Sequence, residues 1–172
     1  MRANLMPDLD LAARLFAALR ARTHDGVGIT REAYGPGERI AHEIVLGEAA
    51  TLGLEIATDH MGNRFLTLPG ADRAAPKLVV GSHLDSVARG GNYDGAAGVV
   101  AGLAAVAGMV RAGFTPGRDV TVMAIRAEEA GSWFPVSYPG SRGALGRLAP
   151  GELVVRRRDS GRTLAEHRAE EG

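Results

Sequence analysis

The sequence contains no cysteine, and this absence excludes several kinds of site. Without thiols the chain can form no disulfide, no thiolate metal site and no cysteine nucleophile. Lysine occurs only at Lys77, and aromatic residues make up 5% of the chain. Twenty basic and twenty acidic side chains give a net charge of zero. No global basic field is therefore available to attract nucleic acid or an anionic membrane, and neither partner is expected.

Long hydrophobic runs are also missing. The longest uncharged stretch, residues 95–110, has 16 residues, fewer than the roughly 20 of a membrane span. Asp8 and Asp10 lie where a signal peptide needs an apolar segment, so we expect a cytoplasmic protein. With 172 residues, 45% apolar and 23% charged, the chain has the size and composition of one globular domain with a real core.

Hydropathy patterning predicts alternating helices and strands. A first helix begins at a cap on Asp8 and runs to about Arg22, with Leu11, Leu15 and Leu19 on one stripe. The second and third predicted helices cover residues 38–52 and 95–112, and a last one covers residues 162–170. The predicted strands are residues 54–58, 64–68, 77–82 and 120–127.

Two of these elements have specific expectations. The buried face of the second helix is assigned to Ile40, Ile44 and Val45. The strand at residues 77–82 is a short apolar run of the kind buried on both faces. Because a helix separates it from the strand at residues 120–127, the order strand, helix, strand predicts a parallel pair in an α/β fold.

Polar residues follow both of these strands. His83 and Asp85 come directly after the first, Asp94 closes the glycine-rich loop that follows, and Glu128 and Glu129 come after the second. Ligands of open parallel sheets bind outside the carboxyl ends of the strands. We therefore expect these five side chains to lie together.

Each group also has an ordinary structural interpretation. His83 could be a hydrogen-bonded histidine, Asp94 could be a helix N-cap, and the paired glutamates could be solvated. However, two adjacent anions at a buried strand end repel each other unless a cation or a proton compensates them. Imidazole and carboxylates suit zinc, and also manganese, cobalt or nickel. Their coincidence at one sheet edge favours a metal site.

These residues lie in segments that resemble the hydantoinase/carbamoylase branch of the dinuclear metallopeptidase superfamily. That branch includes N-carbamoyl-L-amino-acid hydrolases, β-ureidopropionases and allantoate amidohydrolases. The glycine-rich loop before Asp94 favours it over the exopeptidases of the superfamily. The similar segments are residues 30–34, 59–63, 81–86, 90–96, 126–129, 133–134 and 137–142.

The resemblance implies a three-layer α/β/α fold with a mostly parallel central sheet and a site for two divalent metal ions, zinc being favoured. It implies that His83 binds one metal, that Asp94 bridges both and that Glu129 binds the second. Asp85 would orient His83, and Glu128 would be the general base. The implied reaction is hydrolysis of a non-peptide C–N bond in a small ureido or linear amide substrate, by water activated at the metal.

The resemblance also implies missing parts. Residues 1–172 would be the N-terminal part of the catalytic domain, without the dimerisation domain through which full-length relatives form homodimers and without the histidines that complete each metal site. His167, in the predicted last helix, is expected to be a surface histidine. A catalytic zinc usually has three protein ligands. We therefore expect this chain alone to bind metal weakly and to hydrolyse little.

Other function classes remain as alternatives. An aminopeptidase or deacylase of the same superfamily would use the same metal residues. A nucleotide-binding module would explain a glycine-rich loop between strand and helix, although neither G-x-G-x-x-G nor G-K-[ST] occurs. A non-catalytic fragment is the third alternative.

Overall fold

The computed structural model describes residues 5–171, and its elements lie close to the predicted ones. The helices are α1 (Leu9–Thr23), α2 (Pro36–Thr51), α3 (Ala96–Arg111), α4 (Ala130–Trp133), α5 (Pro139–Ala144) and α6 (Leu164–Glu171), with a short 3₁₀ turn at Pro150–Glu152. The strands are β1 (Glu55–Thr58), β2 (Arg64–Leu68), β3 (Leu78–His83) and β4 (Val120–Ile125).

The helix α1 begins as its sequence predicts. The Asp8 carboxylate accepts a hydrogen bond of 2.9 Å from the Leu11 amide and so caps the first turn. The leucine stripe of this helix is buried. Both the predicted helix and its buried face are therefore confirmed.

The buried face of α2 differs from the prediction. Val45 is fully buried, but Ile40 and Ile44 are only half-buried. The face turned inward instead carries Glu38, Ala41, His42, Val45 and Ala49. Its spacing of three and four residues forms a single helical stripe, and that stripe includes a carboxylate. Glu38 therefore lies inside the protein.

The four strands form one sheet in the order β1-β2-β4-β3. The strands β3 and β4 are parallel and are joined through α3, as predicted. The strands β1 and β2 form an antiparallel hairpin, and β2 also pairs antiparallel with β4. The α/β class is confirmed, but the sheet of the described residues is mixed rather than mostly parallel, because the hairpin adds to β4.

One layer of helices covers the sheet. The helix α3 contacts β3 and β4, α2 contacts β1, and α1 contacts both other helices. Glycine allows α3 to approach closely, since a Cβ at Gly102 would lie 3.0 Å from the Val122 side chain. The main core lies between this layer and the sheet. Within residues 5–171, no helix has the length and apolar content required to cross a membrane.

The predicted burial of β3 on both faces is wrong. Leu78, Val79 and Val80 are 53%, 51% and 40% exposed. The strand lies at an edge of the sheet, and its face away from α3 lines an apolar groove of about 500 Å³ with Phe65, Met123 and Leu145. Only Val79 of the three lies on that face, whereas Leu78 and Val80 alternate to the side of α3 and are exposed there because β3 is an edge strand. Within residues 5–171, neither face of this apolar run is fully covered.

This difference between neighbouring strands is testable by substitution. Val122→Ala on β4 should lower the free energy of unfolding by about 2 kcal/mol, because it leaves a cavity in the core. Val79→Ala on β3 should lower it by less than about 0.5 kcal/mol, because that side chain is already half solvated. Urea unfolding followed by circular dichroism measures both. Equal losses would show that β3 is covered in solution.

Candidate metal centre

The register of the parallel strands brings the predicted polar residues together. His83, the last residue of β3, lies opposite Ile125, the last residue of β4. The loop after β3 and the turn after β4 therefore leave the sheet side by side. The histidine is 8% exposed, so its ring lies at the floor of the site rather than on the surface.

Three side chains approach closely enough to bind one ion. One ligand atom from each of His83, Asp94 and Glu129 lies within 4.8 Å of the other two. The His83 Nε2 atom is 3.9 Å from Oδ1 of Asp94 and 3.6 Å from Oε2 of Glu128. One imidazole and several carboxylates form an N/O donor set that suits zinc and related divalent ions. The residues present thus fit a divalent cation.

Asp85 connects the two strand ends. Its carboxylate lies 3.2 Å from Nδ1 of His83. It also accepts hydrogen bonds from the amides of Glu128 at 3.1 Å and Glu129 at 2.9 Å. This carboxylate is fully buried. A single side chain therefore fixes the imidazole on one strand end and the glutamate backbone on the other.

The charges of the site favour a proton on His83 when no cation is bound. Burial lowers the pKa of His83, but the hydrogen bond to Asp85 and the charges of Asp85 and Glu128 outweigh burial and raise the pKa to about 9. Burial, together with the charges of Glu128 and Asp94, raises the pKa of Glu129. The site is thus an anion-rich cluster that selects a positive charge.

The N-cap interpretation of Asp94 is wrong. Gly95 is the residue that precedes α3, and the Asp94 side chain makes no capping hydrogen bond and is 63% exposed. Gly95 has a φ of +64°, and a Cβ there would collide with the His83 ring. The glycine therefore lets the chain turn directly against the imidazole, and the Asp94 carboxylate remains free to face it.

The turn after β4 has an unusual backbone. Ala127 adopts a left-handed conformation with a φ of +56°. Its amide donates a 2.7 Å hydrogen bond to Oε1 of Glu38, and Oε2 of the same carboxylate accepts from the Tyr34 amide at 2.7 Å. The Arg126 guanidinium lies 3.2 Å from Oε2. Glu38 thus supports the turn that carries both site glutamates.

Sequence reasoning did not identify Glu38 as a site residue. The signal was present, because Glu38 lies three, seven and eleven positions before Ala41, Val45 and Ala49, on the apolar stripe of α2. A carboxylate on such a stripe must find buried partners. Two of those partners, Arg126 and the Ala127 amide, are far along the chain, so the pattern around Glu38 could not reveal them.

Two of the segments that resemble the family, residues 30–34 and 59–63, contact the backbone around the site. The Arg31 guanidinium is buried and donates through Nε to the Leu84 carbonyl at 2.5 Å and through Nη2 to the Asp94 carbonyl at 3.4 Å. Asn63 accepts a hydrogen bond of 2.8 Å from the Arg126 amide. Residues 30–34 and 59–63 therefore hold the loop after β3 and the end of β4.

Two aromatic residues near the turn, Trp133 and Phe134, pack behind the site. Phe134 is fully buried in a second core cluster that includes Tyr34, Met61 and Leu164. The Trp133 indole donates a 2.9 Å hydrogen bond to the Ser86 carbonyl. These contacts stabilise the support behind the site.

The prediction that His167 is a surface histidine is wrong. It is 5% exposed, because α6 packs on this second core cluster through Leu164 and His167. Its Nε2 atom lies 2.7 Å from the Ser160 hydroxyl, and its ring packs edge-on against Phe134. Among residues 5–171, one group of three side chains could hold a metal ion, and it lies at the strand ends. His167 does not belong to this group.

The sequence around the site is similar to that of known hydrolases. Residues 63–146, which contain all five site residues, match the model of peptidase family M28. An N-carbamoyl-L-amino-acid amidohydrolase of Paenarthrobacter aurescens is 36% identical over 129 residues, which are 75% of this chain and 31% of that protein. An allantoate amidohydrolase of Bacillus subtilis is 34% identical over 137 residues, or 80% and 33%.

The fold comparison agrees. The crystal structure of a hydantoinase/carbamoylase family amidase from Burkholderia ambifaria superposes with a TM-score of 0.82 and 29% identity, over 96% of this chain and 41% of that one. The chain thus spans about a third of the length of the curated relatives it matches. Over that part, its sequence and its fold confirm the resemblance to the hydantoinase/carbamoylase family of amidases.

Proposed function

We propose that this chain supplies the metal-binding half-site of a hydrolase that cleaves non-peptide C–N bonds in small N-carbamoyl, ureido or linear amide compounds. The observation that carries the proposal is the approach of His83, Asp94 and Glu129 within 4.8 Å, with the Glu128 carboxylate 3.6 Å from His83. The relatives named N-carbamoyl-L-amino-acid amidohydrolase and allantoate amidohydrolase support the substrate class.

Divalent metal ions are the proposed cofactor, with zinc favoured over manganese, cobalt and nickel. His83 and Asp94 would hold one ion, and Asp94 and Glu129 would hold the second. When bound, such an ion polarises a substrate carbonyl and lowers the pKa of water. The donor set of nitrogen and carboxylate oxygen supports this choice.

The remaining residues have distinct roles in the proposal. Glu128 is the general base, because its carboxylate is partly exposed and faces the donors without belonging to the three that converge. Asp85 orients the His83 imidazole, because its backbone carbonyl and its carboxylate lie 3.1 Å and 3.2 Å from Nδ1, which leaves Nε2 directed toward Asp94. Its hydrogen bonds to the amides of Glu128 and Glu129 keep the base and the ligand in one orientation.

We further propose that residues 1–172 correspond to the N-terminal part of the catalytic domain of such an amidase. Further donors and a dimerisation domain would then lie outside the described residues. When the three converging donors are shared between two ions, as proposed, each ion has two ligands among the described residues, fewer than the usual three, which supports weak metal binding by the isolated chain.

Metal affinity tests the donor assignment without requiring turnover. Zn²⁺ binding, measured by competition with a fluorescent chelator, should weaken at least about tenfold in His83→Ala and in Glu129→Gln, because each loses a donor. Glu128→Gln should weaken it less, since only a nearby charge is lost. His24→Ala is the matched control, because this histidine is exposed and outside the cluster. Equal affinity of His83→Ala and the wild type would overturn the assignment.

The link between Asp85 and His83 predicts a titration. In the metal-free chain, Asp85→Asn should lower the pKa of His83 from about 9 toward its ordinary 6.5, because burial then opposes the charged imidazole with less compensation. Asp94→Asn should have the smaller effect, because Asp94 is more distant and mostly exposed. Nuclear magnetic resonance of the His83 ring proton across pH measures both. A larger effect of Asp94→Asn would contradict the orienting role.

Turnover separates the proposed reaction from its alternative. The family model matched is that of a peptidase, which keeps an aminopeptidase activity as the second candidate. With Zn²⁺ or Mn²⁺ supplied, the chain alone should release product from N-carbamoyl amino acids only slowly, and not from dipeptides. A rate equal to that of full-length relatives would contradict the half-site, and preference for dipeptides would favour the peptidase.

A further inference from the structure

The backbone at the end of β4 is held by two buried carboxylates from different parts of the chain. The amide of Ala127 donates to Glu38, and the amides of Glu128 and Glu129 donate to Asp85. Three successive amides are thus directed inward. Because their hydrogen bonds fix the backbone, they also fix where the two glutamate side chains leave it.

Of these three amides, Glu38 binds that of Ala127, the residue with the strained backbone. A left-handed backbone is unfavourable for a residue with a Cβ, so Ala127 keeps its φ of +56° only when its surroundings impose it. The described contact that does so at its amide is the 2.7 Å hydrogen bond to Oε1 of Glu38. Without that acceptor, a buried N–H group would be unpaired, and the turn would gain by rearranging.

The orientation of Glu38 is itself fixed. Its other oxygen accepts from the Tyr34 amide, and Arg126 lies 3.2 Å away with its guanidinium 5.1 Å from the centre of the Tyr34 ring. Glu38 is fully buried in α2, so it touches neither solvent nor the three converging donors. Its direct contact with the part of the chain that carries the site glutamates is the hydrogen bond to the backbone of the turn.

On the basis of the proposed function, we propose that Glu38 is a positioning residue that sets the orientation of Glu128 and Glu129 by holding Ala127 in its left-handed conformation. Asp85 alone does not fix the conformation of Ala127, because it binds the amides of the next two residues, Glu128 and Glu129, and not that of Ala127 itself. The second metal ligand and the general base are then both placed by a residue of α2, 89 positions earlier in the chain than Ala127.

Glu38→Gln tests this role, since glutamine keeps the shape but offers only one accepting oxygen to the two amides. Two measurements apply: hydrogen exchange of the Ala127 amide in the metal-free chain, and Co²⁺ affinity from its visible absorption. Exchange should accelerate at least about tenfold, and Co²⁺ affinity should fall by about 10–100-fold, as for residues that support metal ligands.

Val45→Ala is the matched control, because Val45 is also fully buried on α2 and lies outside this hydrogen-bond network. It should destabilise the chain without changing Co²⁺ affinity or the local exchange of Ala127. If Glu38→Gln does not fold because Arg126 loses its partner, the double variant Glu38→Gln/Arg126→Met removes both charges and takes its place in both measurements.

The two measurements separate the two proposals. Wild-type exchange and wild-type Co²⁺ affinity in the variant would overturn the role of Glu38, and so would equal losses in Val45→Ala. If the wild-type chain binds no Co²⁺, the proposed metal function fails, and the exchange of the Ala127 amide alone then decides whether Glu38 holds the turn.

Discussion

The site depends on one buried carboxylate that binds the ends of two parallel strands. Asp85 lies against the imidazole at the end of β3 and accepts from two amides after β4. The parallel register makes this contact possible, because it ends both strands at the same level. The distance between the histidine and the glutamates is therefore determined by the sheet and by Asp85, with little freedom left to the loops.

Electrostatics explains why so many carboxylates tolerate one another here. Glu38 is compensated by Arg126, and Asp85 by two amides and by the imidazole. The outer carboxylates Asp94 and Glu128 face the same imidazole, and the charges of Asp85 and Glu128 together raise the pKa of His83. A buried ion pair contributes little to stability by itself. The arrangement is better understood as support for the proposed cation site than as a source of stability.

Sequence alone predicted the parts of this site that local pattern determines. His83 and Glu129 follow apolar strands, and such residues meet at a sheet edge in any parallel pair. It could not predict what covers β3 or how the hairpin joins β4, because both depend on distant elements. Glu38 was not predicted and His167 was predicted wrongly for a related reason: whether a polar residue on a short helical stripe is buried becomes clear only when its partners are known.

The left-handed Ala127 also bears on how this sequence can change over evolution. The conformation costs an alanine roughly 1–2 kcal/mol and a glycine almost nothing. A lineage that acquires glycine at this position loses this conformational cost, although its buried amide still requires an acceptor on α2. The constraint on position 38 should therefore be weaker, but not absent, in homologues with glycine at position 127, although 89 residues separate the two positions.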